Sequence, residues 1–471
     1  MKLNRLKFML IHYKLTIFTK NYNMKSIISI AIIIFSITTV IAQHNCYTIA
    51  VGKNITDKQN TVYLAHNEDD SGDLIINMFK VGAKTFAEKD SFQLTNGQNI
   101  PQVKNVNSLL WLETTQQNFS DMFMNEFGVT ICSNSCPSRE YKANGILNYD
   151  FRRLIAERAK TAKQAVKIAG ELLQKYGYES SGRSYTIADT DEIWILAVVK
   201  GNHWVAQRVP NNQVVIIPNY YTIGEINLKD TANFLATADI INYAIERGWY
   251  NPKLGKPFNF RQAYSARRVL HASWNVPRHW AGLNLLAEKQ FGIDDEFPFS
   301  FTPKSKVSID DLKKVLDNHY EGTDLEANHL LHKNPHKNLN HPICNTSTKF
   351  SVIAELNSTT KTLWWAPLNP CIFPYVPINF DIKEIPKMYS NIGVETAKAN
   401  HFLKQENSYK ANPNHAFTVF DKYKNSINSN YWNNKNKRES FKNKFEKKVK
   451  SETDSYKILI ELYDEVKKLE E

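Results

Sequence analysis

Residues 46 to 53 read Cys-Tyr-Thr-Ile-Ala-Val-Gly-Lys. The run Tyr47 to Val51 is mainly apolar and partly β-branched, which is typical of a buried strand. A polar stretch that begins Asn54-Ile-Thr-Asp-Lys58 separates it from a second apolar run over 61–65. The pattern predicts a β-hairpin that opens at Cys46, with this cysteine at the end of a strand.

The segment before Cys46 has the composition of a secretion signal. Met24-Lys25 gives a basic n-region, the apolar run extends from Ile27 to Ile41, and Val40-x-Ala42 offers a signal-peptidase site. We expect a signal region over 1–42, with Met24 as an alternative start, then a prosegment over 43–45 and a secreted or periplasmic protein. The run is shorter than the roughly twenty residues that span a bilayer, so no stable membrane span is expected.

Removal of the prosegment would give Cys46 two chemical groups. The thiol is a nucleophile, and the free α-amine, with an ordinary pKa of roughly 8, can act as a base near neutral pH. A lipid anchor is disfavoured because Asn45 stands where a small residue is needed. A disulfide is the other alternative, since the chain has four more cysteines, Cys132, Cys136, Cys344 and Cys371.

Predicted helices and strands alternate along the rest of the chain. The apolar spacing over 150–176 predicts two successive helices, with Thr161 at the start of the second and Gly177 at its end. Strands are predicted over 193–199, 203–209, 214–217, 350–356 and 361–366. Beyond Ile385 the pattern is helical only. We therefore expect an α+β catalytic domain over 46–385 and a Lys- and Asn-rich helical extension over 386–471.

The net charge of +12 does not predict a nucleic-acid partner. Much of the excess lies in the signal region and in 435–450, where Phe441, Phe445 and Val449 recur at helical spacing. That pattern is typical of an amphipathic helix with a solvated basic face. A second charged stretch contains four histidines, which we interpret as a solvated surface loop, so neither a metal nor another cofactor is expected. They are His329, His332, His336 and His341.

Several short motifs occur in a fixed order. The segment at Cys46 is followed by Ala65-His-Asn-Glu-Asp69, Asn125-Glu-Phe-Gly-Val129, Glu157-Arg-Ala-Lys-Thr-Ala162, His203-Trp-Val-Ala-Gln-Arg208, Ile343-Cys-Asn345 and Leu363-Trp-Trp365. Together they resemble the secreted dipeptidase and secernin family of cysteine N-terminal-nucleophile hydrolases, over most of the chain from Cys46 to about Pro377. The resemblance implies an αββα sandwich of stacked antiparallel sheets between helical layers.

The resemblance also implies roles for individual residues. Cys46 resembles the nucleophile, and Asp69 resembles the carboxylate that holds its α-amine. Asn219 resembles the asparagine whose side chain donates to the oxyanion, and Asn134, or its neighbour Ser135, resembles the second donor.

The same resemblance assigns Arg267 and His66, together with Asn134, to the substrate side of the site. Arg267 resembles the arginine near the nucleophile, and the match to the family allows a shift of one residue along the chain. His66 stands where related acylases carry an arginine, and an imidazole stabilises a thiolate less steadily than a guanidinium does. This difference favours a dipeptidase over an acylase.

The four cysteines after Cys46 are candidates for two disulfides. Cys132 with Cys136 would close a local loop, and Cys344 with Cys371 would bridge a hairpin. The alternative is that all four are buried free thiols.

The sequence therefore predicts a secreted cysteine dipeptidase that acts on short peptides and needs no cofactor. The first alternative is an amidase or acylase that cleaves another linear amide. The second is a secreted binding protein derived from such an enzyme but without activity.

Overall fold

The computed structural model describes residues 46–70, 74–94, 96–115, 120–328, 333–390, 392–400 and 412–470. All of them belong to one compact unit. The predicted signal region and prosegment lie outside the described residues. Within the described ranges, no helix is long and apolar enough to cross a membrane.

The described strands form two large antiparallel sheets and two small ribbons. The strands are β1 (Tyr47–Val51), β2 (Val62–Asp69), β3 (Ile76–Val81), β4 (Lys84–Thr85), β5 (Ser91–Gln93), β6 (Asn99–Pro101), β7 (Asn105–Val106), β8 (Leu109–Thr114), β9 (Met122–Asn125), β10 (Thr130–Ser135), β11 (Tyr178–Ala188), β12 (Ile193–Gly201), β13 (Trp204–Arg208), β14 (Val214–Ile217), β15 (Phe234–Ala236), β16 (Thr348–Leu356), β17 (Lys361–Pro367) and β18 (Val376–Asn379).

The helices flank these sheets or follow them in the chain. They are α1 (Asp150–Arg158), α2 (Ala162–Tyr176), α3 (Ile240–Glu246), α4 (Phe260–Tyr264), α5 (Arg267–Leu270), α6 (Val276–Leu286), α7 (Ile309–Leu316), α8 (Val394–Asn400), α9 (Ala416–Ser429), α10 (Lys435–Val449) and α11 (Ser455–Glu470).

The first large sheet places β1 between β2, which carries His66 and Asp69, and β14, which ends just before Asn219. Its strand order is β14-β1-β2-β16-β17-β18, and the predicted hairpin of β1 and β2 is confirmed by a register that pairs Tyr47 with Asn67. The second sheet has the order β15-β13-β12-β11-β10-β9-β8-β3.

The two sheets stack because each has an apolar inner face. Side chains alternate between the faces of a strand, so Ala50 and Leu64 of the first sheet point inward and share a core with Ile195 of the second. The outer face of the second sheet packs against α1 and α2, and that of the first packs against α6 and α7. The order helix, sheet, sheet, helix confirms the predicted α+β sandwich.

The C-terminal helices extend the core between the sheets. Phe420 of α9, Phe441 of α10 and Leu459 of α11 belong to the same apolar cluster as Trp365 of β17. The backbone N–H of Asn379, at the end of β18, donates to Ser455 Oγ at 2.9 Å. The helical segment is therefore packed on the last strands of the first sheet.

Candidate active site

Cys46 lies directly before β1 and is fully buried. Because β1 pairs with β2, the end of β2 runs beside this residue. The Cys46 Sγ atom lies 3.0 Å from Glu68 Oε1 and 3.9 Å from the backbone oxygen of Asp69. The thiol is thus held against two consecutive acidic residues.

The backbone carbonyl of Cys46 is held by two side chains from distant elements. It accepts hydrogen bonds from Asn134 Nδ2 at 2.8 Å and from Arg278 Nη1 at 3.4 Å. Arg278 belongs to α6, is buried, and donates through Nη2 to Asn219 Oδ1 at 2.7 Å. One guanidinium therefore links Cys46 to Asn219.

Asn219 follows β14, the strand on the other side of β1. Its side-chain oxygen is taken by Arg278, and its backbone N–H donates to Asn275 Oδ1 at 3.1 Å. Its Nδ2 atom is buried and has no hydrogen-bond partner among the described residues. A buried amide donor without a partner costs free energy, and an oxyanion formed next to it would supply the missing acceptor.

Asn134 differs from Asn219 because both hydrogens of its amide are used. Its Nδ2 donates to Cys46 O at 2.8 Å and to Ile217 O at 2.9 Å, and its Oδ1 accepts from Thr48 at 2.6 Å. An amide nitrogen carries only two hydrogens. In this structure Asn134 ties β1, β10 and β14 together, instead of taking the donor role predicted for it.

Asp69 has one satisfied and one unsatisfied carboxylate oxygen. Oδ2 accepts from Asn345 Nδ2 at 2.6 Å, whereas Oδ1 is buried and has no hydrogen-bond partner among the described residues. Burial raises the pKa of this carboxyl to about 7, against the opposing effects of Arg278, Thr348 and Asn345. An ammonium group freed at Cys46 would stabilise the charged form.

His66 and Glu68 form a buried chain of contacts that ends at the thiol. The ring of His66 lies 2.7 Å from Thr48 Oγ1 through Nδ1 and 3.0 Å from Glu68 Oε2 through Nε2. The other oxygen of Glu68 contacts Cys46. His66 is fully buried, so its ring is not exposed to a substrate. It is connected to the thiol through Glu68.

Glu68 is a site residue that the sequence motifs did not single out. Its position could have been found from the two-residue period of a strand, which places it on the inner face with His66. Burial, followed by the charges of Glu68, Asp70 and Asp69, raises the pKa of the Cys46 thiol well above its ordinary value. Burial and Asp70 likewise raise the pKa of Glu68, and Arg152 opposes them. The surroundings of Cys46 thus favour the protonated form of its thiol.

The arginine that contacts Cys46 is Arg278, through the backbone carbonyl, whereas Arg267 was predicted near the nucleophile. Arg267 is exposed at the start of α5. Arg278 comes eleven positions later, follows Pro277, and is buried because α6 packs on the outer face of the first sheet. Arg267 therefore stays a prediction for the substrate side, and the feature that the sequence analysis missed is an arginine inside a mainly apolar helix.

The predicted disulfides are absent from the described structure, where all five cysteines are buried and free. Cys132 and Cys136 are four residues apart along β10 and its extension, and an extended chain separates such residues by about 13 Å. Cys344 Sγ lies 3.6 Å from Cys371 Sγ, well beyond a disulfide bond of about 2.0 Å.

The sequence profile of peptidase family C69 matches residues 45–435. The chain therefore belongs to peptidase family C69.

The chain is similar to curated dipeptidases over part of their length. It is 33% identical over 199 residues to a dipeptidase of Bifidobacterium longum, covering 39% of this chain and 37% of that protein. It is 29% identical over 309 residues to dipeptidase A of Lactobacillus helveticus, covering 60% and 63%. It therefore spans roughly two fifths to three fifths of the length of these relatives.

Among solved structures, a mutant of conjugated bile acid hydrolase from Clostridium perfringens aligns with this chain. The alignment covers 71% of this chain and 92% of the hydrolase chain. The TM-score is 0.31 and the sequence identity is 9%.

Proposed function

We propose that this protein is a secreted cysteine dipeptidase in which Cys46, once it is the N-terminal residue, supplies the thiol nucleophile and the base. The observation that carries the proposal is the position of Cys46. Its thiol contacts Glu68 and Asp69, and its carbonyl shares Arg278 with Asn219. Membership of family C69 and the similarity to dipeptidases support the same function.

The residues at the site suit each step of amide hydrolysis. The free α-amine of Cys46 takes the thiol proton as sulfur attacks the scissile carbonyl, and the resulting oxyanion accepts a hydrogen bond from Asn219 Nδ2. The amine then gives the proton to the leaving nitrogen, and water hydrolyses the thioester to release the acid. Asp69 Oδ1, which has no other partner among the described residues, holds the ammonium form of the amine.

Activity should appear only when the chain begins at Cys46. An amide nitrogen cannot accept a proton as an amine does, so protein that retains Gln43 to Asn45 should be inactive. Intact-mass measurement and N-terminal sequencing of active and inactive fractions test this expectation. Hydrolysis by a chain that still carries Gln43 would contradict the mechanism.

A cavity beside Asn219 suits the ends of a short peptide. It has a volume of about 480 Å³ and is lined by Tyr220, the residue after Asn219, and by side chains of both charges, namely Arg261, Asp294, Asp295 and Glu296. Carboxylates can receive a free substrate amine, and Arg261, which pairs with Glu296 at 2.7 Å, can exchange that partner for a substrate carboxylate. An apolar acyl chain would make no polar contact with these charged side chains.

Free dipeptides should therefore be cleaved faster than blocked ones. Loss of one charge-assisted hydrogen bond costs about 1.5–3 kcal/mol, so N-acetylation or C-terminal amidation should lower kcat/KM about 10- to 100-fold. The measurement compares free, N-acetylated and amidated forms of one dipeptide. Faster cleavage of the blocked forms would instead favour the amidase or acylase alternative.

A further inference from the structure

Four buried side chains with metal-binding groups meet outside the candidate active site. They come from the loop after α7, a 3₁₀ turn at 335–337, the loop before β16 and the loop after β17. One ligand atom from each lies within 4.8 Å of the others, and the four residues are His319, His336, Cys344 and Cys371. His336 was predicted to lie in a solvated loop, but its ring is buried against His319 and Tyr431.

The spacing of these atoms is close to that of a tetrahedral zinc site. Zn–S and Zn–N distances of about 2.3 and 2.0–2.1 Å place neighbouring ligand atoms about 3.3 to 3.8 Å apart. Cys344 Sγ lies 3.6 Å from Cys371 Sγ, and His336 Nε2 lies 3.1 Å from the same sulfur. Small side-chain movements are enough to place all four atoms around one ion.

Both imidazole rings are oriented with Nε2 available for a metal. His319 Nδ1 lies 2.8 Å from Glu321 Oε1, and His336 Nδ1 lies 3.0 Å from Asn428 Oδ1. Because both partners are acceptors, each Nδ1 donates to its partner, and in the neutral ring each Nε2 keeps its lone pair, as in zinc sites whose histidines donate to outer carboxylates or carbonyls. Moreover, His319 Nε2 is buried with no hydrogen-bond partner among the described residues.

We propose that His319, His336, Cys344 and Cys371 bind one structural zinc ion. Two thiolates balance the charge of the dication, and four protein ligands complete its tetrahedral shell, which leaves no position for a substrate. The ion would also explain why two thiols approach within 3.6 Å without forming a disulfide.

The zinc site would support the candidate active site from one side. Cys344 precedes Asn345, whose Nδ2 holds Asp69 Oδ2 at 2.6 Å. Asn369 Nδ2 reinforces this loop by donating to Asn345 O at 2.7 Å and to Cys344 Sγ at 3.5 Å. Asn428 of α9 orients His336, so the same ion ties the C-terminal helices to the sheet.

Metal content tests the proposal without an activity assay. The purified chain is dialysed, and zinc is measured by plasma mass spectrometry in a Cys46→Ala background, because Cys46, His66 and Glu68 also form a group with metal-binding atoms. We expect about one zinc per chain, and at least a tenfold lower content after Cys344→Ser. Cys136→Ser, which changes another buried free thiol, should leave the zinc content unchanged.

Cobalt exchange gives a second readout that does not depend on a variant's folding. The chain with its native ligand set should show thiolate-to-cobalt charge transfer and the intense visible bands of tetrahedral Co²⁺. Absence of both zinc and the cobalt spectrum would overturn the proposal, as would a Cys344–Cys371 disulfide in peptide maps or full zinc retention in Cys344→Ser. None of these results depends on whether the protein cleaves dipeptides.

Discussion

Dipeptide hydrolysis should fall by a factor on the order of 10⁴ or more when Cys46 is replaced by alanine. The substitution removes only the sulfur, together with its 3.0 Å contact to Glu68. The carbonyl that Asn134 and Arg278 hold stays in place, so the fold should be retained. Turnover under saturating dipeptide measures the effect, and circular dichroism with thermal unfolding measures the fold.

Cys136→Ala is the matched control for this loss. Cys136 is also a buried free thiol, and its Sγ atom lies 3.9 Å from the backbone oxygen of Pro218. Its replacement should lower stability modestly and leave most of the turnover. A Cys46→Ala protein with the turnover of the unaltered chain would make the thiol structural and would favour the binding-protein alternative.

The elements were predictable from the sequence where local pattern and packing agree. The second helix begins where Thr161 accepts from the backbone N–H of Gln164, and it ends at Gly177, which has φ of 65°. β1 and β2 carry apolar residues on both faces because one face packs on the other sheet and the opposite face packs on α6 and α7. Such local signals are sufficient for the hairpin that positions Cys46.

The contacts that complete the site could not be predicted in this way because they join distant parts of the chain. Arg278 reaches Cys46 across 232 positions, and Asn345 reaches Asp69 across 276. His336 lies in a polar stretch, yet it is buried because α9 and Tyr431 cover it. The local composition around His336 does not show that distant residues cover it. An exposed polar loop and a buried group of histidines can therefore have the same sequence pattern.

Asn219 offers the sharpest test of how the site stabilises charge. Asn219→Ala should lower kcat about 10²- to 10³-fold, the usual cost of losing one oxyanion donor, with little change in KM. Asn219→Asp is the matched variant, since it keeps an oxygen for the 2.7 Å contact with Arg278 but cannot donate as the amide does. Its kcat should fall at least as far, because a carboxylate would also repel the oxyanion.

Asn134→Ala should behave differently from both Asn219 variants, and this contrast separates a donor to the substrate from a structural amide. It removes hydrogen bonds to Cys46 O, Ile217 O and Thr48, which predicts a loss of about 2–4 kcal/mol in the free energy of unfolding. Denaturant unfolding and kcat are measured for all three variants. If Asn219→Asp kept its turnover, the unpartnered Nδ2 would not be the oxyanion donor, and Arg278 would become the candidate for that role.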